Sequence, residues 1–118
     1  MSDLADRASR QADALTDAAD LSPFRSERAW LRRRGAEWNR AWKAVNGAEL
    51  EGYALDDIEI LAAGALVPGM VIWWDGAVEF VRYNGQAASP SLLTRDMDTG
   101  RESWLNVSSN AAPVVVVG

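Results

Sequence analysis

The chain has 118 residues, of which 48% are hydrophobic and 25% charged, and its six Trp exclude a disordered chain. Neither Cys nor His occurs, which removes the commonest zinc ligands, disulfides and the usual general base near neutral pH. No apolar run approaches the roughly 18 residues of a membrane span, and the net charge of −5 disfavours bulk nucleic-acid binding. We therefore expect a non-enzymatic protein without metal or cofactor.

Residues 1–21 are predicted to form an N-terminal helical arm. Ala, Asp and Arg dominate the segment, and its apolar residues recur at helical spacing in a thin stripe. Only Leu4 and Leu15 contribute sizeable apolar area, so the arm is expected to add little to the core and to bind a partner. Its acidic start is unlike a signal peptide, which favours a location in the cytoplasm of a host cell or within a phage particle.

Residues 22–64 are predicted to form a Trp-rich helix and a connector. Ser22-Pro23 is typical of a helix start, and Asn46-Gly47 of a helix end. The apolar stripe of this helix consists of Leu31, Trp38, Trp42 and Val45. In the connector that follows, residues 56–61 are compatible with either a short helix or a strand.

Charge is segregated along this helix, because residues 25–43 contain seven basic and two acidic side chains. One hypothesis is that Arg32, Arg33 and Arg34 contact phosphates or an acidic protein surface. The alternative is a solvated helix face, which is the more common role of arginines on an exposed helix. The carboxylates of residues 56–59 and 96–98 lack the ligand spacing of a calcium loop, so we interpret them as solvated turns.

Residues 65–118 are predicted to form a small β-barrel. Five β-rich runs, each followed or preceded by turn residues, occupy 70–74, 77–83, 91–97, 101–107 and 114–117. Asp75-Gly76 predicts a two-residue hairpin, and Asp98-Thr99-Gly100 a hairpin with a left-handed Gly. Five such short strands bury a core best when the sheet closes on itself.

The two-residue turn would pair Trp73 with Val78 across the first hairpin. Strand alternation then places Val71, Trp73, Val78 and Phe80 on one apolar core face. The opposite face would expose Trp74 and Tyr83, a surface typical of protein interfaces. The favoured alternative is that the protein's own helix covers this second face through its Trp stripe.

Two resemblances to known families extend this interpretation. The LVPGMV segment at 66–71, the Trp74-Asp75-Gly76 hairpin and the NAAP segment at 110–113 resemble small SH3-like barrels of phage and bacterial accessory proteins. The first eight residues resemble the N-termini of TraR/DksA-type regulators, whose acidic helix tip enters the secondary channel of RNA polymerase. That second resemblance implies a tip formed by Asp3, Asp6 and Ala8, although the family's four-cysteine zinc finger has no counterpart here.

The predicted fold is therefore α+β, with N-terminal helices packed on a five-stranded antiparallel SH3-like barrel. The favoured function is a non-catalytic protein–protein interaction or assembly module, such as a phage structural or adaptor protein that binds other subunits or itself. The alternative is a phage-encoded inhibitor or regulator of a host nucleic-acid machine, either a defence complex or RNA polymerase. Direct binding of nucleic acid is the least favoured hypothesis. The partner-binding candidates are Leu4, Leu15, Arg32, Arg33, Arg34, Trp74 and Tyr83.

Overall fold

Two helices precede an antiparallel sheet in the computed structural model, which describes residues 3–85 and 90–118. The helices are α1 (Asp3–Leu21) and α2 (Arg25–Glu51). Short 3₁₀ turns at Leu55–Asp57 and Ala63–Ala65 flank the first strand. The strands are β1 (Ile58–Ala62), β2 (Val71–Trp73), β3 (Ala77–Asn84), β4 (Ser91–Asp96), β5 (Glu102–Asn106) and β6 (Pro113–Val117). The predicted α+β class is confirmed, and residues 1 and 2 of the predicted arm lie outside the described residues.

Helices α1 and α2 form an antiparallel hairpin that is packed through small residues. Along α1 the buried residues are Ala5, Ala8, Ala12 and Ala19. On α2, a Cβ added to Gly35 would lie only 3.4 Å from the Ala12 carbonyl oxygen, so the backbones are close at this point. Ala5 and Ala8 belong to the same core as α2 and the sheet. The described residues of this segment are docked on α2, whereas the sequence predicted an arm that adds little to the core.

Helix α2 is longer than predicted at its C-terminal end. It continues through Gly47 to Gly52, whose φ of 109° lies in the left-handed region and whose N–H caps the carbonyls of Ala48 and Glu49. Gly47 lies inside the helix, and its role there is steric. A Cβ at this position would lie 2.8 Å from Nε1 of Trp73, so only Gly lets the indole pack against the helix.

The sheet is open and six-stranded, with the order β1-β6-β2-β3-β4-β5 and antiparallel pairing throughout. All five predicted strands are present, each within one residue of its expected bounds. The sixth strand, β1, comes from the connector and pairs with β6. The sheet is not closed into a barrel, so the five-stranded SH3-like barrel is not confirmed.

The first hairpin has a different register from the predicted one. Trp73 pairs with Ala77, and Ile72 with Val78, so the loop contains three residues instead of two. Gly76 at a φ of 115° accommodates this longer loop. A slip of one residue moves side chains to the other face of a strand. The predicted core face is consequently divided between the two sides of the sheet.

Two hydrophobic cores lie on the two faces of the sheet. The Trp stripe of α2 packs on the face that carries Val71 and Trp73, and not on the Trp74 face that the favoured alternative assigned to it. Trp74 is covered instead by Arg40 of the same helix. The other face, together with the connecting loops, forms a core around Ile72 and Phe80, with Trp74 at its margin. Strand β6 contributes to both cores, which explains its uninterrupted run of valines.

Candidate interaction surfaces

The predicted partner-binding leucines lie inside the helical hairpin. Leu4 packs against the core beneath α2, and Leu15 lies beside Gly35 of the neighbouring helix. Both side chains are half-buried. In this conformation both side chains contribute to the packing of α1 on α2.

The three consecutive arginines of α2 do not form one site. Successive residues on a helix point about 100° apart, which sends the three side chains in different directions. Arg32 forms an exposed ion pair with Asp20 at 3.5 Å, while Arg33 is exposed. Arg34 is half-buried, donates a hydrogen bond to Ser109 Oγ at 2.9 Å and lies over the Trp30 ring. A single clamp for phosphate is therefore not assembled from these residues.

Arg34 and Glu37 instead attach α2 to the turn before β6. The Ser108 backbone N–H donates to Glu37 Oε2 at 2.9 Å, and the Ser108 hydroxyl donates to Glu37 Oε1. Together with the bond between Arg34 and Ser109, these contacts fix the position of the helix relative to the sheet. These bonds are structural, because they join α2 to the sheet within one chain, while Nε of Arg34 is buried without a hydrogen-bond partner.

Trp74 and Tyr83 do not share a surface patch. Trp74 lies in the turn between β2 and β3, and Tyr83 near the far end of β3, about 20 Å away at the rise of an extended strand. The Tyr83 hydroxyl donates to Asn110 Oδ1, and burial raises the pKa of Tyr83 above its ordinary value. The Arg40 guanidinium lies 4.3 Å from the centre of the Trp74 ring and covers it.

An open groove of about 1080 Å³ lies between α2 and the turns of the sheet. Arg40 and Lys43 line its helical side, and Asp75 and Asp98 its opposite side. The groove has aromatic side chains at its base, but it contains neither Cys nor His to act as nucleophile or base. Its aromatic and charged lining suits binding through stacking and charge.

Exposed apolar side chains lie at the end of the helical hairpin, residues 21–34, which we call the hairpin tip. Leu21 is 85% exposed, Phe24 63% and Trp30 54%. The hydrophobic residues of α2 that join either core begin only at Trp38, so the apolar side chains of the tip belong to neither core, and Arg34 at its inner end bonds to the sheet. The tip contains five Arg and one Glu, a local net charge of +4.

The sequence pattern predicted no binding role for Leu21, Phe24 or Trp30. Two features of the sequence indicate that these residues lie outside the core. Leu21 and Phe24 flank the Ser-Pro turn, where large apolar residues have no periodic core to join. Trp30 lies about 80° around the helix from Trp38, which places it beside the stripe that docks on the sheet.

Three further observations concern membrane helices, metal ligands and similarity to known proteins. Within residues 3–85 and 90–118, no helix has the length and apolarity needed to cross a membrane. No group of three or more metal-ligating side chains is assembled in the same part of the chain. The chain matches no protein-family profile, no curated protein and no solved structure.

Proposed function

We propose that this protein is a non-catalytic interaction or assembly module that contacts other protein subunits through its hairpin tip. The observation that carries the proposal is the exposure of Leu21, Phe24 and Trp30 within ten residues of one another. Large apolar side chains exposed close together in the chain favour an interaction site, since leaving them in water is unfavourable. Aromatic residues and Arg, which dominate this tip, are also enriched at the centres of protein interfaces.

The tip is suited to this role by its position. It lies on two helix ends that are held together by the alanine-rich seam, so its side chains are presented on a rigid support. A preorganised surface loses little conformational entropy when a partner binds. A phage structural or adaptor protein, which the resemblance to SH3-like modules implies, is one setting in which such a module would act.

A second candidate function is inhibition or regulation of a nucleic-acid machine. Residues 44–81 contain seven carboxylates and no Lys or Arg. Such a surface attracts the basic clefts in which these machines hold their substrate. Replacement of exposed carboxylates in this segment by amides should abolish inhibition under this second function and leave tip-mediated contacts intact.

The proposal can be tested by placing a photo-crosslinking amino acid at Phe24. The matched control carries the same group at Val67, which is also exposed but lies outside the tip. We expect protein adducts from position 24, either with other chains in a host lysate or between copies of the purified protein. Adducts at both positions, or at neither, would show that the tip is not a specific protein contact.

A further inference from the structure

A second exposed apolar patch lies at the other end of α2, in residues 49–59, which we call the acidic end. Leu50 is 90% exposed and Leu55 49%. The charged residues of this segment are all carboxylates, which gives it a net charge of −5. The acidic end therefore combines apolar side chains with a charge opposite to that of the hairpin tip. Its charged residues are Glu49, Glu51, Asp56, Asp57 and Glu59.

The two patches are separated by the length of α2. A helix of 27 residues is about 40 Å long, close to the longest dimension of the molecule, 46 Å. The antiparallel hairpin brings the start of α1, with Asp3 and Asp6, towards the acidic end. The molecule thus has a basic apolar end and an acidic apolar end.

This distribution of charge is the reverse of what stabilises a helix. The first turn of α2 contains Arg25 and Arg28 against a single Glu, and the last turn contains Glu49 and Glu51 without a basic residue. The helix macrodipole favours acidic residues at the N-terminus and basic residues at the C-terminus. The macrodipole of α2 therefore does not account for the arrangement. Part of it is used inside the hairpin, because Arg28 donates to the Ser22 carbonyl oxygen at 3.1 Å and Arg32 pairs with Asp20.

We propose that copies of this chain associate head to tail, with the hairpin tip of one copy on the acidic end of the next. The inference rests on the proposed function, because it uses the same tip and names its partner as a second copy. Phe24 and Trp30 would pack on Leu50 and Leu55, while arginines of the tip face carboxylates. Such a contact joins two different surfaces, so a bound pair still has one free tip and one free acidic end, and the assembly grows into rings or filaments.

The first measurement is the molar mass of the purified full chain as a function of protein and salt concentration. We expect mass to rise with concentration beyond that of a dimer at low salt. Salt should reduce association, because exposed charges separated by about 10 Å are largely screened at 0.1 M. A chain that stays monomeric at every concentration would overturn the inference, and so would one that stops at a dimer.

The direction of the contact is tested with two double variants. The tip variant carries Phe24→Ser and Trp30→Ser, and the end variant carries Leu50→Ser and Leu55→Ser. Each variant alone should associate at least about tenfold more weakly than the original chain, the loss expected for removal of central contacts. Val67→Ser is the matched control and should leave association unchanged. Thermal melts confirm that each variant is folded.

Mixing the two variants distinguishes head-to-tail contact from every symmetric alternative. The end variant retains an intact tip and the tip variant retains an intact acidic end, so an equimolar mixture should form 1:1 pairs that grow no further. A mixture that stays monomeric would overturn the inference. If position 24 crosslinks to a different protein while the purified chain remains monomeric, the proposed function stands and the second copy is excluded as the partner.

Discussion

The helical hairpin and the sheet are each stabilised by a different kind of packing. The seam between α1 and α2 buries Ala and Gly, which allow the backbones to approach closely but contribute little apolar area per residue. The core around Ile72 and Phe80 buries large side chains between strands and loops. The seam should therefore be sensitive to added volume, and the sheet core to lost volume.

The largest effect is expected from Phe80→Ala in the sheet core. Phe80 is 1% exposed, and its truncation leaves a cavity that should lower the free energy of unfolding by about 3–5 kcal/mol. Urea denaturation provides the measurement. Trp104→Ala serves as the control, since this exposed side chain on an edge strand should contribute less than about 1 kcal/mol. Equal losses from both variants would contradict the assignment of this core.

Deletion of residues 1–21 measures how much the seam contributes. Sequence reasoning predicts a nearly unchanged melting temperature for the truncated protein, because it treats the segment as an arm. The structure predicts a loss of roughly 2 kcal/mol, or about 10 °C, because buried alanines of α1 leave the core. A thermal melt that is not shifted by the deletion would support the free arm, and would show that α1 can leave α2 at little cost.

A smaller effect is expected from Gly47→Ala, which tests overpacking where the helix meets the sheet. Overpacking costs about 1–3 kcal/mol, which outweighs the gain of up to about 1 kcal/mol from better helix propensity. The net expectation is a destabilisation of about 1 kcal/mol, because the new Cβ meets the Trp73 indole.

A Trp73→Ala background supplies the control for this substitution. With the indole removed, Gly47→Ala should stabilise the protein, and a double-mutant cycle should show coupling between the two positions. Additive effects would mean that the glycine is not retained for contact with Trp73.

The smallest effect concerns pH at the turn between β4 and β5. Backbone N–H groups of Thr99 and then Asp98 donate to the Asp96 carboxylate and lower its pKa below the ordinary value. These hydrogen bonds to the charged carboxylate therefore stabilise the folded protein at pH values above the unfolded-state pKa, near 4. This stabilisation is lost as the pH falls through the lowered folded-state pKa.

Asp96→Asn should keep the acceptor oxygen and remove this part of the pH dependence. Melting temperatures of both proteins between neutral and acidic pH provide the measurement. If the Asn variant loses stability in acid as steeply as the original chain, the turn carboxylate does not contribute to acid sensitivity.

Local chemistry made the strands predictable from sequence. Turn residues such as Asp75-Gly76 and Asp98-Thr99-Gly100 interrupt the β-rich runs directly, so all five predicted strands are found within one residue. The left-handed Gly100, with a φ of 74°, is confirmed for the same reason. The uninterrupted valines of β6 likewise indicate a strand buried on both faces, whatever its neighbours are.

The candidate surfaces were less predictable, because exposure depends on where other elements end. The apolar spacing of α2 identifies Trp38 and Trp42 as docking residues, and both pack against the core. It carries no information about how far the sheet extends along the helix, so the exposure of Phe24 and Trp30 became visible only in the folded chain. Arg34 was similarly expected at a binding surface and is used to hold Ser109.

The α+β class, five of the strands and the long Trp-bearing helix are predictable from sequence pattern alone, since these depend on contacts between near neighbours in the chain. Tertiary structure decided the register of the first hairpin, the open sheet with β1 beside β6, and the docking of α1. Each of these depends on the approach of backbone segments that are distant in the chain. Small residues permit this approach, but their pattern in the sequence does not predict it. Gly47 shows the reason: its local signal is that of a helix end, and only the indole of Trp73 packed against it explains why the helix continues.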